Sequence, residues 1–311
     1  MRGSLALHLG LVAVLFALNF VLPAYAHGNI ARVMTLAVYA IGYNIAFGYT
    51  GLLSLGHAMF FAAGMYGAGL LLRFTDAGAV AAFGVALACG AGLALVTGLL
   101  ALRTAGVSFM IVTLMFSQAC ALAILYFAEY TRGDEGFVIA AASRVVAGHD
   151  LGDAQVRYLA AWALFSAAFL FSLWLVNRPM GKVLVAIREN EPRARLLGYD
   201  TFRLKLGALV ISGTVSAASG AGYGLFFGYA GASFAGVQYS IFPLLWVLLG
   251  GAGTVIGPFL GTLFMFYLID LSSGITDAYM LIAGVALIGL TLFAPQGIAG
   301  ELRRRAWRGL P

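Results

Sequence analysis

The chain has 311 residues, of which 62% are hydrophobic and only 10% charged, whereas an ordinary soluble domain carries roughly 25% charged residues. Such a composition cannot cover a globule with a polar skin, and the apolar residues gather in blocks that match the ~20-residue helix needed to cross a hydrocarbon layer. The formal charge of +6 does not signal nucleic acid, because the basic residues stand at the ends of apolar blocks and not on a face with interleaved aromatics.

In chain order, an apolar block follows Arg2 over residues 4–22 and ends at Pro23-Ala24-Tyr25-Ala26. It exceeds the ~7–15-residue core of a signal peptide, so it reads as a retained first helix with its N-terminus inside. Residues 30–47 form the second block, a glycine-rich stretch over 50–72 the third, 77–102 the fourth and 107–127 the fifth. The fourth is apolar on every face, which excludes the period-two alternation of a β-barrel and leaves helix as the spanning element. The longest polar interruption covers residues 129–158 and precedes a sixth block at 159–176. A basic stretch over 177–205 separates it from blocks at 206–229, 239–249, 255–269 and 278–293, and residues 301–311 form a basic tail. The expected fold is an all-α polytopic membrane protein of about ten transmembrane or re-entrant helices.

Parity and charge agree on orientation. Ten crossings place the N-terminus, the turn at Arg103, the 177–205 stretch and the tail on one side, which then holds 13 of the 18 Lys and Arg residues. Arg32, Arg73, Arg132, Arg144 and Arg157 fall on the other. Lys and Arg are retained in cytoplasmic loops during insertion, so both termini are expected to be cytoplasmic. Apart from Asp270 at a block end, the blocks read as carrying no buried Asp, Glu, Lys or Arg, which argues against an ion-coupled carrier with ionisable groups on its path.

Two segments match the pattern FGYxGxxxxG: Phe47-Gly48-Tyr49-Thr50-Gly51 with Gly56, and Phe227-Gly228-Tyr229-Ala230-Gly231 with Gly236. The first falls at an inside turn and the second at an outside turn, so the halves would be inverted copies with glycine-broken helices near the midplane, a recurrent basis for alternating access. Tyr49, Thr50, Ser54 and His57 collect at the inner break and are the candidate pathway residues. Ser54 and His57 do not make a hydrolase, since neither an acid partner nor a G-x-S-x-G turn accompanies them. Ser212, Thr214, Ser216 and Ser219 read as interhelical hydrogen bonders. Cys89 and Cys120 lie in apolar blocks without ligand spacing, so they read as packing residues, and no metal site is expected.

Within the basic stretch, Asn190 suits a helix N-cap, Glu191 and Pro192 a first turn, and Gly198 the C′ position that ends it. The short helix would offer Leu196 and Leu197 as apolar contacts and Arg193 and Arg195 as polar ones to a soluble partner. No G-x4-G-K-[ST] phosphate loop is present, the one Gly-Lys pair being Gly181-Lys182 followed by Val183, so an ATP-driven step would need another chain.

These motifs together carry a family resemblance. Asn44-x3-Gly48-Tyr49-Thr50-Gly51-Leu52-Leu53-Ser54-Leu55-Gly56-His57-Ala58-x-Phe60-Phe61 resembles the signature of the LivM-type permeases of branched-chain amino acid ABC importers. So do Ala186-Ile187-Arg188-Glu189-Asn190-Glu191 with Ala194 and Leu197-Gly198, and Leu249-Gly250-Gly251-Ala252-Gly253-Thr254-x2-Gly257-Pro258-x2-Gly261. Thr131-Arg132-Gly133-Asp134-Glu135-Gly136 is similar to the family's outer-loop pattern, and Pro295-Gln296-Gly297 to its closing P-x-G.

The resemblance implies one permease domain over 1–311, with a first half at about 29–127, an outer loop at 128–158, a cytoplasmic coupling loop at 177–205 and a second half at about 206–298. It further implies a transport subunit of the bacterial cytoplasmic (inner) membrane that is not itself an enzyme. Its partners would be a LivH-like permease, two ATP-binding cassette subunits of LivG and LivF type that hold ATP and Mg, a periplasmic or extracellular solute-binding protein, membrane lipid and a small polar solute. Arg188, Glu189, Asn190, Glu191, Ala194 and Gly198 would couple to the ATPases, and Arg132, Arg144 and Arg157 would meet the binding protein. Similar permeases carry urea, amides or aromatic acids, and no motif here chooses among these cargoes.

Overall fold

The computed structural model describes residues 2–276, 278–293 and 296–305. Pro295 and residues 306–311 of the tail lie outside the described residues. The described helices begin with α1 (Arg2–Leu18), α2 (Ala24–Asn44), α3 (Ala58–Phe74), α4 (Ala79–Ala101) and α5 (Val107–Tyr126). After the one-turn α6 (Ala128–Thr131) come α7 (Ala154–Asn177), α8 (Pro179–Glu189), α9 (Glu191–Leu196) and α10 (Thr201–Phe227). The last are α11 (Val237–Gly250), α12 (Gly257–Ser273), α13 (Tyr279–Phe293) and α14 (Gly297–Arg305). Each of the ten apolar blocks contains one of these helices. Five stretches among the described residues, including Tyr25–Tyr49 and Thr201–Phe227, are long and apolar enough to cross a membrane.

The third block departs from expectation. Its apolar letters begin at residue 50, yet helix begins only at Ala58. A five-residue π turn, Ile45–Tyr49, ends α2, and Gly51 then takes φ +77°, a left-handed conformation that glycine adopts without a Cβ penalty. Residues 50–57 run without α-helix to His57. Gly56 must remain small there, because a side chain would collide with the Thr113 carbonyl.

At the centre stands α2, whose apolar window is 89% buried, against 17% for α5. Helix α10 packs on α2, α3 and α4. It runs antiparallel to α2: Ser212 Oγ donates to Gly42 O at 2.5 Å and Ser219 Oγ to Thr35 O at 2.6 Å. Relative to α3 it runs parallel, with Gly213 against Phe60 and Gly224 against Met65. Small residues let these helices approach closely, the usual device where lipid removes the hydrophobic drive between helices. Ser212 and Ser219 thus bridge helices as their sequence positions suggested, while Thr214 bonds its own turn at Val210 O.

The interruption before α7 contains short strands. Strand β1 (Phe137–Val138) precedes the hairpin of β2 (Val145–Val146) and β3 (His149–Asp150), turned by Ala147 and Gly148, both at positive φ. β1 pairs antiparallel with β4 (Tyr229–Ala230), matching Phe137 to Ala230 and Val138 to Tyr229. This ladder fastens the 128–158 loop to the second FGYxG segment.

Candidate functional site

Both FGYxG segments end a long helix, and each is followed by a helix-free or 3₁₀ stretch and then a shorter helix, α3 or α11. The N-termini of those two helices meet, with the Ala58 N–H donating to Ser240 Oγ at 3.0 Å. Their depth can be read along α10, since His57 is level with Ser212, the twelfth residue of that helix. At ~1.5 Å per residue the meeting point lies about 17 Å from the start of α10.

The inner segment is held by side chains from distant parts of the chain. Asn44 donates through Nδ2 to Thr254 O and accepts through Oδ1 from the Gly253 N–H, both at 2.9 Å. The Tyr43 hydroxyl donates to Ser54 O at 3.0 Å, and Thr50 Oγ1 to Ile45 O at 2.9 Å. From α8 the Arg188 guanidinium donates to Gly48 O and stands against Gly253, whose φ is +75°. Arg188 also lines two cavities, one of about 430 Å³ with Thr50, Leu53, Thr104 and Lys205, the other of about 500 Å³ with Tyr49, Leu248 and Gln296.

The four expected pathway residues do not form one cluster. Tyr49 and Thr50 sit beside Arg188 at the inner end, whereas Ser54 and His57 are fully buried further in. His57 Nε2 is 2.8 Å from Ser212 Oγ, its ring lies between Tyr43 (4.6 Å) and Phe60 (5.3 Å), and Nδ1 has no hydrogen-bond partner among the described residues. Ser54 Oγ accepts from the Gly56 N–H at 3.2 Å. Serine and histidine therefore have separate partners.

The α9 segment is built from caps and ion pairs. Asn190 Oδ1 accepts from the Arg193 N–H at 2.9 Å, and Gly198, at φ +88°, closes the helix with its N–H on Arg195 O at 2.9 Å. Glu191 gathers Arg195 at 2.7 Å, the Thr201 hydroxyl at 3.0 Å and Lys205. Partial burial works to raise its carboxyl pKa, but hydrogen bonds from Lys205 and Arg195, the Lys205 charge and the Thr201 hydroxyl outweigh it and hold the pKa below its ordinary value. Glu189 pairs with Arg188 at 3.5 Å. Ala194 is buried, while Leu196 and Leu197 are 88% and 71% exposed, so the two leucines, not Ala194, form the open face. Both arginines are exposed, but Arg195 is engaged with Thr201 and Glu191, which leaves Arg193 as the cation of the pair outside the loop's ion pairs among the described residues.

Of the outer-loop arginines, Arg132 is exposed at φ 62°. Arg144 instead turns inward, donating to Leu225 O at 3.1 Å and packing on Gly228, where its charge complements the C-terminal end of α10. Arg157 lies 5.5 Å from the Phe227 ring.

Asn44 and Gly253 stand in the sequence motifs and Arg32 in the charge count, but none of the three is assigned a contact there. Asn44 was visible as an amide in an apolar block, which requires partners when buried. Arg32 falls within the second block, near its start, and since α2 begins at Ala24 the arginine stands on its third turn. Arg73 likewise belongs to the last turn of α3. Both arginines are exposed, and among the described residues no Asp, Glu, Lys or Arg is buried; Asp270 accepts from the Tyr25 hydroxyl at 3.1 Å. No group of three or more His, Cys, Asp or Glu suited to a metal occurs among the described residues.

The family model described as "Branched-chain amino acid transport system / permease component" matches residues 26–294. The high-affinity branched-chain amino acid transport system permease protein LivM of Escherichia coli K12 is 26% identical over 290 residues, covering 85% of this chain and 68% of that protein. LivH of the same organism, the companion permease protein, is 26% identical over 287 residues, covering 86% and 92%. The probable branched-chain amino acid transport permease protein LivM of Methanocaldococcus jannaschii is 37% identical over 107 residues, 33% of this chain and 31% of that protein. No solved structure matches the chain significantly.

Proposed function

We infer function from the premise that this chain belongs to the family of branched-chain amino acid transport system permease components. It is a multi-pass membrane protein of the permease class. As a proposal, it forms with a second, LivH-like permease the pathway of a binding-protein-dependent ABC importer for branched-chain amino acids in the bacterial inner membrane. Two ATPase subunits would bind ATP and Mg and supply the power stroke, and an outer solute-binding protein would deliver the cargo. The chain would cross the membrane ten times, counting the broken helices, with both termini cytoplasmic.

The observation that supports this reading is the pair of inverted breaks whose short helices, α3 and α11, meet at Ala58 and Ser240. Two half-helices that begin near mid-depth leave their positive ends there, suited to the carboxylate of a passing zwitterion. His57 and Ser54 stand beside that point, and Tyr49 and Thr50 at the inner exit. The α9 segment would be the coupling element: Leu196 and Leu197 enter a groove on the ATPase, with Arg193 at their edge, Glu191 and Asn190 hold the helix, Ala194 and Gly198 give it a compact shape, and Arg188 with Glu189 carries its movement to Gly48. On the outer side Arg132 is the arginine best placed to meet the binding protein, while Arg144 and Arg157 support the loop behind it.

The test is reconstitution in liposomes with the partner permease, both ATPases and the binding protein. Labelled leucine should accumulate only with the full set and ATP. Uptake by this chain without the ATPases, or a full set that imports urea or an amide but not leucine, would overturn the reading. A Leu196→Asp, Leu197→Asp variant should lose ATPase subunits on size exclusion while this chain still folds.

A further inference from the structure

Arg32 is exposed on the third turn of α2 and forms no ion pair among the described residues. Its guanidinium lies over the Phe227 ring, 5.0 Å from the centroid, and Arg157 from α7 faces the same ring at 5.5 Å. Two cations thus share one aromatic ring at the outer end of α10 with no anion between them. A cation–π contact is worth only about 0.5–1 kcal/mol at an exposed site, so the ring orients the guanidinium groups without neutralising them. An ionisable residue in a membrane helix that lacks a counter-charge marks a functional position by default.

An aromatic stripe begins at that ring and continues inward. Phe227 touches Tyr223 at 4.7 Å, Tyr223 touches Phe234 at 5.1 Å, Phe234 touches Tyr239 at 4.9 Å and Tyr239 touches Phe242 at 5.7 Å. All five rings are only partly buried. The stripe therefore descends from the rim onto α11, the helix that meets α3 at Ser240.

We propose that Arg32 and this stripe are the outer entry site for the transported amino acid, with the carboxylate on Arg32 and the apolar side chain on the aromatic faces. The proposal rests on the permease reading above. A zwitterion with an apolar side chain needs one cation and one apolar wall, and the geometry supplies both side by side. A docked protein would meet the rim alone and would leave the inward run of rings unused.

The experiment compares wild type, Arg32→Gln and Arg32→Lys in the full importer complex in liposomes, measuring leucine uptake and ATP hydrolysis against the concentration of leucine-loaded binding protein. Loss of a charge-assisted contact predicts that Arg32→Gln lowers maximal uptake about tenfold, with the half-saturating concentration of loaded binding protein within about twofold. Stimulated ATP hydrolysis should persist in Arg32→Gln, so leucine moved per ATP falls, and Arg32→Lys should recover most of it. Tyr239→Ala should lower maximal uptake without altering complex assembly. Three outcomes would sink the idea: unchanged maximal uptake in Arg32→Gln; a raised half-saturating concentration at unchanged maximal uptake, which makes Arg32 a docking contact; or loss of the second permease from both Arg32 variants, which makes it a subunit contact. If the wild-type complex imports no leucine, the functional reading itself fails and the entry site falls with it.

Discussion

At the inner break the chain is held by side chains that arrive from elsewhere, Asn44 gripping Gly253 and Thr254 while Arg188 grips Gly48. At the outer break the grip is mostly backbone, the β1–β4 ladder between residues 137–138 and 229–230, with Arg144 closing α10. The same five-residue pattern is thus secured in two ways. The bond from Arg188 ties the inner break to α8. The ladder ties the outer break to the 128–158 loop. Under the proposed function, this difference of fastening would distinguish the end that faces the motor from the end that faces the cargo.

The largest effect should come from filling the inner break. In Gly48→Leu the new side chain overlaps the Asn44 amide and comes within 2.5 Å of the Gly253 nitrogen, so the cost should exceed the usual ~1–3 kcal/mol of overpacking and no transport-competent protein should form. At the outer counterpart, Gly228→Ala meets only the flexible end of Arg144 at 2.9 Å, with φ +71°, and should cost about 1–2 kcal/mol. Thermal denaturation of both variants in detergent decides it, and equal losses would break the contrast.

Next in size is removal of the arginines. Arg188→Gln gives up a charged hydrogen bond worth about 1.5–3 kcal/mol and should leave ATP hydrolysis running with less solute moved per ATP. Arg144→Gln gives up a charged hydrogen bond of similar worth, to Leu225 O, yet should leave that ratio unchanged. If Arg144→Gln uncouples and Arg188→Gln does not, the assignment of ends is reversed.

Smaller still, Asn190→Ala removes the α9 cap at a cost of about 1 kcal/mol, visible as faster amide exchange at Arg193 with the outer ladder unaffected. The mildest test is pH. Because the folded Glu191 carboxyl has a lowered pKa, its stabilisation is complete above the unfolded value of ~4.3 and is lost as pH falls through the folded value below it. Protection of α9 should stay level from neutral pH down to about pH 5 and fall only in stronger acid, and Glu191→Gln should flatten that fall.

The helical blocks were legible because apolarity over a span is a property of a window, and each of the ten produced a helix. The start of α3 was not, since Leu52, Leu53 and Leu55 are as apolar as any helical residue and only the φ of Gly51 stops the helix. The capping of α9 could be read from Asn190 and Gly198, which act on immediate neighbours. Arg188 could not be placed the same way: its partner lies 140 residues earlier, and a basic loop residue points to solvent until packing decides otherwise. Arg32 could be read as a charge near the start of a block, but its seat over the Phe227 ring could not, because that ring comes from the far half of the chain.

The π turn at Ile45–Tyr49 has a mechanical corollary. It stores one residue of slack at the end of the most enclosed of the five long apolar stretches among the described residues. Were that slack drawn into regular α-helix, everything beyond it would swivel by ~100° and advance by ~1.5 Å, carrying the Gly48 carbonyl away from Arg188. A single residue taken up or let out is a discrete step, unlike the gradual bending of a regular helix.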